Sequence, residues 1–129
     1  MRTFKQILEE LQAENSEKLT RLEDYNDKLK YFNSNKSRLV TILSKPQEQW
    51  EEEAKKIING NVYLSKQWGL TKAQKTIDDA QKKISSGDMT SEEVSDLNKK
   101  IATDKSELQK DKQELDKLIK NDLKEIQSK

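Results

Sequence analysis

The sequence predicts an all-α protein: an elongated antiparallel helical hairpin or coiled coil, with shorter helices at its turn end. Three observations point there. Charged residues make up 38% of the 129 residues and apolar ones 31%, with bases and acids interleaved to a net charge of +1. So polar a chain cannot fill a thick globular core, but it can bury narrow stripes between long helices. Apolar residues recur in steps of three and four toward both ends of the chain, the spacing of a helical seam. Boundary signals at Pro46, Gly60, Gly69 and Gly87 separate a middle of shorter segments from two long flanking runs.

The first long helix is expected over residues 3–44. One seam position holds Leu8, Asn15, Leu22, Leu29, Lys36 and Leu43; the other holds Phe4, Leu11, Lys18, Tyr25, Phe32 and Leu39. Asn15, Lys18 and Lys36 interrupt the stripe, while Ile7, Leu19, Val40 and Ile42 widen it, so packing should be best in the C-terminal half. At 1.5 Å per residue such a rod is roughly 60 Å long.

A short helix is expected over 46–59. Proline is tolerated in a first helical turn but not in a helix interior. "SKPQEQWEEEAKKII" therefore reads as a new start, with Ser44 or Lys45 as cap and acids in the first turns; a kinked continuous helix is the alternative. Trp50, Ala54, Ile57 and Ile58 give it an apolar face. In "IINGNVYL", Asn59-Gly60 fits either a hairpin turn or a helix C-cap. An isolated ribbon would be marginal, which favours a helix end followed by a turn over 60–70. Thr71 with Gln74 resembles a capping box and starts a helix expected over 72–86, with Ala73, Ile77, Ala80 and Ile84 on one face and Lys82 and Lys83 in its last turn. "DMTSEEV" is a second capping box, Thr90 with Glu93, and Met89 and Val94 form a hydrophobic staple. The last helix is expected over 91–127, with Val94, Leu97, Ile101, Leu108, Leu115 and Leu118 in its seam, Asp104 and Asp111 as polar breaks, and Ile119, Leu123 and Ile126 shifting the stripe. An antiparallel hairpin would bring the C-terminal half of the first rod near the start of the last. The rod ends near Phe4 and Ile126 would then fray or await a partner.

The chemistry-bearing residue types are sparse. The chain has no cysteine and no histidine, so thiol chemistry and the commonest general base and metal ligand are missing. The acid pairs fall on solvent faces, where nothing separates their pKa values for acid–base work. No phosphate-cradling glycine loop exists, and the near-neutral charge argues against nucleic acid. These features predict a non-enzyme without catalytic, metal or cofactor sites. No run approaches a membrane span and the N-terminus lacks a signal-peptide core. The expectation is cytoplasmic synthesis, with signal-peptide-independent export open. The aromatics are the remaining candidates. Tyr25 and Phe32, with Leu22 and Leu29, are either seam packing or an anchor for a partner helix; Trp50 and Trp68 are either turn-end core or exposed anchors.

With Trp68 and Gly69 adjacent at mid-chain, the layout resembles the WXG-type secretion proteins of Gram-positive bacteria. It is closer to the small helical partners of LXG-domain toxins. The resemblance covers the chain in layout and a few residues in motif. In the WXG pattern one residue separates Trp from Gly, and here none does. No aromatic precedes an acid by four positions: Tyr63 is followed by Gln67 and Phe32 by Lys36. An export signal would therefore lie on another subunit. The resemblance implies a chaperone or targeting subunit that binds a toxin's helical N-terminal domain for type VIIb secretion, with Trp68, Gly69, Trp50, Tyr25, Phe32, Leu22 and Leu29 as partner-binding residues. A self-associating structural coiled coil, in which Asn15, Lys18 and Lys36 set register, and a toxin immunity protein are the alternatives.

Overall fold

A computed structural model describes residues 2–128 and contains four helices and no strand among them: α1 (Phe4–Ile42), α2 (Trp50–Ile58), α3 (Val62–Ser85) and α4 (Ser91–Ser128). The all-α hairpin architecture predicted by the seams is present. The chain runs up α1, returns along the short α2, climbs again in α3 parallel to α1, and descends in α4.

Thr3 opens α1 with a full capping box: its hydroxyl accepts from the Gln6 amide at 3.2 Å, and the Gln6 side chain accepts from the Thr3 amide at 3.0 Å. The helix ends at Ile42, three residues before the position that proline most restricts. Pro46 breaks the helix rather than kinking it. It precedes a 3-10 turn over Gln47–Gln49, and α2 begins only at Trp50, with Glu51, Glu52 and Glu53 in its first turn. The Trp50 indole donates to the Lys45 carbonyl at 2.8 Å and holds this corner.

The segment expected as a turn over 60–70 is helix. Asn59 (φ 41°) and Gly60 (φ 76°) reverse the chain in two left-handed residues, and α3 starts at once. Asn61 makes that possible. Its side-chain oxygen accepts from the Tyr63 and Leu64 amides at 3.0 and 3.1 Å, and its amide nitrogen donates to the Lys28 carbonyl on α1 at 2.9 Å. One buried residue thus caps α3 and ties it to α1. Thr71 is accordingly no cap. It lies inside α3 and its hydroxyl returns to the Gln67 carbonyl at 2.9 Å, an ordinary helix-interior bond.

Gly69 is likewise in mid-helix and loosens no turn. A methyl group added there would meet nothing within 4 Å. Gly69→Ala should therefore stabilise the protein by about 0.5–1 kcal/mol, because alanine loses less backbone freedom in a helix. Thermal unfolding should show a rise of roughly 2–4 °C, and a fall would contradict this placement. Gly87 (φ 75°) does end a helix, as its position suggests. The Glu93 amide donates to the Thr90 hydroxyl at 3.2 Å to begin α4.

The core is built around α3, which packs against each of the other three helices. It comprises Tyr25, Phe32, Leu39 and Ile42 of α1, Ala54 and Ile57 of α2, Tyr63, Leu64, Trp68, Leu70 and Ile77 of α3, and Ile101, Leu108, Leu115 and Ile126 of α4. Tyr63 meets Asp122, and Leu70 lines a surface groove with Leu115. Steps of seven from these pairs set Ile77 against Leu108 and Ile84 against Ile101 in the α3–α4 hairpin.

Three expectations about α1 and α4 change. Lys36 leaves the seam: it is exposed with its ammonium 5.6 Å from the centre of the Phe32 ring, and Asn35 is buried instead. The second half of α1 packs beside the second half of α4, not its start, which pairs with the end of α3. And Ile126 does not fray; it is 7% exposed and packs at the base of α1 beside Leu22.

Candidate functional site

The aromatic residues that the sequence offers as partner anchors are mostly internal. Trp68 is 4% exposed, and its indole donates to Glu51 at 3.1 Å. Tyr25 and Phe32 are 6% exposed and meet the Tyr63 ring edge-on at 6.4 and 6.1 Å. Leu22, Leu29 and Trp50 are half-buried against this cluster, and Gly69 is a bare patch of α3 surface. These residues hold the helices to one another, so a partner cannot grasp Trp68, Tyr25 or Phe32 while the fold is intact.

The cluster's polar groups are structural as well. Tyr63 donates to Asp122 at 2.8 Å, and burial followed by that carboxylate pushes its phenol well above the ordinary value. A phenol held protonated so firmly is no acid or base near neutral pH. Tyr25 is raised too, first by burial and then by Asp122. Among the described residues, no three acidic side chains converge as a metal site would require. No described helix is long and apolar enough to cross a membrane.

Glu51 ties α2 to α3 at the protein surface. One of its oxygens accepts from Trp68 and from Lys72, both at 3.1 Å, and the Lys72 ammonium lies 5.2 Å from the centre of the Trp68 ring. The Lys72 bond, then the Trp68 bond, hold the Glu51 carboxyl below its usual 4.5. A lowered folded-state value means a contribution that is present above the unfolded carboxyl range and lost as pH falls through the folded one. The melting temperature should therefore drop between pH 5 and pH 3, and Glu51→Gln should make that acid limb shallower. An unchanged limb in the variant would assign the acid loss to other carboxylates.

The free surface is at the other end of α1. Every residue from Arg2 to Glu17 is exposed. On this arm Phe4 is 80% exposed, Ile7 43%, Leu8 45% and Leu11 50%, with Leu19 at 60% just beyond. Phe4, Leu8 and Leu11 continue the seam that buries Tyr25, Phe32 and Leu39 farther along, so the arm presents one apolar face. The arm stays helical without tertiary cover because it only extends a helix already nucleated in the body, because Thr3 caps it, and because Gln, Leu, Glu and Ala favour helix.

At its base a groove of about 370 Å³ opens between Asn15, Lys18, Leu19 and Leu22 of α1 and Ile126 and Gln127 of α4. The sequence expects the rod end near Phe4 to fray or await a partner, but it does not say how far along the seam the accessible part extends. That depends on where α4 stops along α1. The signal that hints at it is the pair of polar seam residues, Asn15 and Lys18, between the arm and the body. Comparisons with protein-family models, with curated proteins and with solved structures each return no match.

Proposed function

We propose that this protein is a non-enzymatic helical binding partner, a chaperone or targeting subunit for an LXG-type toxin exported by a type VIIb secretion system. Its working surface is the arm of α1. The observation that supports this reading is the uncovered apolar face of Phe4, Ile7, Leu8 and Leu11 on a helix whose continuation is buried core. Such a face recognises an amphipathic helix laid along it. The toxin's helical N-terminal domain is the partner class that the resemblance implies. The rigid four-helix body would hold the arm extended, so that the partner meets a preformed helix and little ordering cost opposes binding.

Co-expression with the helical N-terminal domain of an LXG-type toxin tests the reading. The two should co-purify, and the toxin domain should be more soluble in the complex than alone. Failure to co-purify, with this chain remaining a sharply melting monomer, would refute it. Survival of toxin-producing cells on supplying this protein, without any effect on secretion, would reassign it to immunity.

A further inference from the structure

We propose that Asn59 is a site of covalent modification: it deamidates through its own backbone, at a rate set by how often the corner between α2 and α3 opens. The proposal concerns that corner alone and is independent of any partner.

Asn59 is the one asparagine followed by glycine; every other asparagine precedes a residue with a side chain, which shields the following amide nitrogen. It is exposed, and its side chain is bonded to no other described residue. The chemistry needs only water. The Gly60 amide nitrogen gives up its proton and attacks Asn59 Cγ. A C–N bond forms, the bond from Cγ to its amino group breaks, and ammonia leaves with the proton. Water then opens the five-membered imide at either carbonyl. One opening leaves aspartate. The other leaves isoaspartate, with the chain running through the side-chain carbon and lengthened by one methylene.

The closed corner holds the reacting atoms apart. Asn59 has φ 41° and ψ 49°. In an L residue that ψ sets the next amide nitrogen anti to Cβ, far from Cγ. Ring closure needs the two eclipsed, half a revolution of ψ away. The surrounding bonds oppose that rotation. The Asn59 amide donates to the Lys55 carbonyl at 3.0 Å, and the Asn61 amide donates to the Ile58 carbonyl at 2.7 Å. The Asn61 side chain then ties the far side of the corner to the first turn of α3 and to the Lys28 carbonyl. The reaction therefore proceeds from a locally opened corner, and its rate follows the population of that state.

The product keeps the corner loose. An added methylene lies between the two halves of the Asn61 ties, which a corner of native length satisfies together. The new carboxylate stands at the C-terminal end of α2, where the dipole is already negative. It shares a groove with Asp27 and Lys28, and that lysine pairs with Asp24 at 3.5 Å. Opening permits the reaction, and the reaction favours opening.

Incubating the full chain in mildly alkaline buffer, with mass spectrometry of the tryptic peptide 57–66, tests this. Conversion at Asn59 is expected, with both isoaspartyl and aspartyl products, at least about 10-fold slower than in the same chain unfolded in urea. Asn61→Ala should speed the folded protein's reaction by about 10-fold, the effect of a lost cap on the open population. Asn61→Asp keeps the cap, loses the donor to Lys28, and should give a smaller acceleration if the alanine variant fails to fold. Ile101→Ala removes a core residue in the first half of α4 and should leave the rate unchanged. No conversion in the folded chain would overturn the proposal, as would a rate equal to that in urea or one indifferent to both Asn61 variants. An equal acceleration by Ile101→Ala would replace the local opening with global unfolding, and aspartate without isoaspartate would exclude the imide.

Discussion

Trp68→Ala should lower stability by about 3–5 kcal/mol, the usual cost of emptying a tryptophan-sized site. The residue is 4% exposed and packs where α2 and α3 meet α1. Its loss removes a large aromatic surface and also the donor that holds Glu51 at 3.1 Å. Domains of this size are held by only about 5–15 kcal/mol, so the change consumes a large fraction of the total. The midpoint of thermal unfolding should fall by roughly 10–20 °C. Trp68→Phe separates the two contributions: it keeps most of the ring, loses the indole donor, and should cost about 1–2 kcal/mol. Circular dichroism gives the midpoints, and the fluorescence of Trp50 follows the α2 corner independently. A Trp68→Ala protein that melts like the parent but fails to bind a partner would contradict the core placement and restore Trp68 as a recognition residue.

The arm should behave in the opposite way. Replacing Phe4, Leu8 and Leu11 together by serine should leave the unfolding midpoint within about 2 °C of the parent, because none of the three touches the core. It should weaken capture of a helical partner at least about 100-fold, since each apolar side chain is worth roughly 1.5–3 kcal/mol when fully buried and part of that is offset on association. Titration calorimetry with the proposed partner, the helical N-terminal domain of an LXG-type toxin, measures the loss, and differential scanning calorimetry confirms the intact body. Leu39→Ala is the contrasting control. Leu39 is fully buried, so it should cost stability by about 2–5 kcal/mol while leaving the arm's face unaltered. The pair of variants thus divides one continuous seam into a part that folds the protein and a part that the fold leaves exposed.

Much of this architecture was readable in the residues. The seven-residue spacing of Tyr25, Phe32 and Leu39, and of Ile101, Leu108 and Leu115, returns each residue to one stripe of a helix, whereas a strand would turn successive ones to opposite faces. Thr90 with Glu93 announces a helix start by local bonds alone. What could not be read depends on tertiary contact. Asn61 looked like part of a loose turn because its capping value comes partly from the Lys28 carbonyl, 33 positions away. Thr71 and Gln74 match a capping box in sequence, yet the backbone before Thr71 is already helical, so the hydroxyl bonds backward. Gly69 invited a turn because glycine is rare in helices, though nothing in helix geometry forbids it. The rod end near Phe4 is expected from the sequence to fray or await a partner, but the extent of the free surface is not legible there. Phe4, Leu8 and Leu11 obey the same spacing as their buried counterparts, and only the register of Asp122 on Tyr63 and Ile126 on Leu22 decides which half of the stripe α4 covers.

That register also bears on synthesis. Tyr63 meets Asp122 across 59 positions, and Leu22 meets Ile126 across most of the chain. During translation, α1, α2 and α3 can assemble as soon as they emerge, but Tyr25 and Tyr63 stay uncovered until residues 122–126 have cleared the ribosome. The nascent chain therefore carries an unfinished aromatic cleft for as long as α4 takes to be made. A ribosome stalled in the second half of α4 would display an incomplete core to chaperones and proteases.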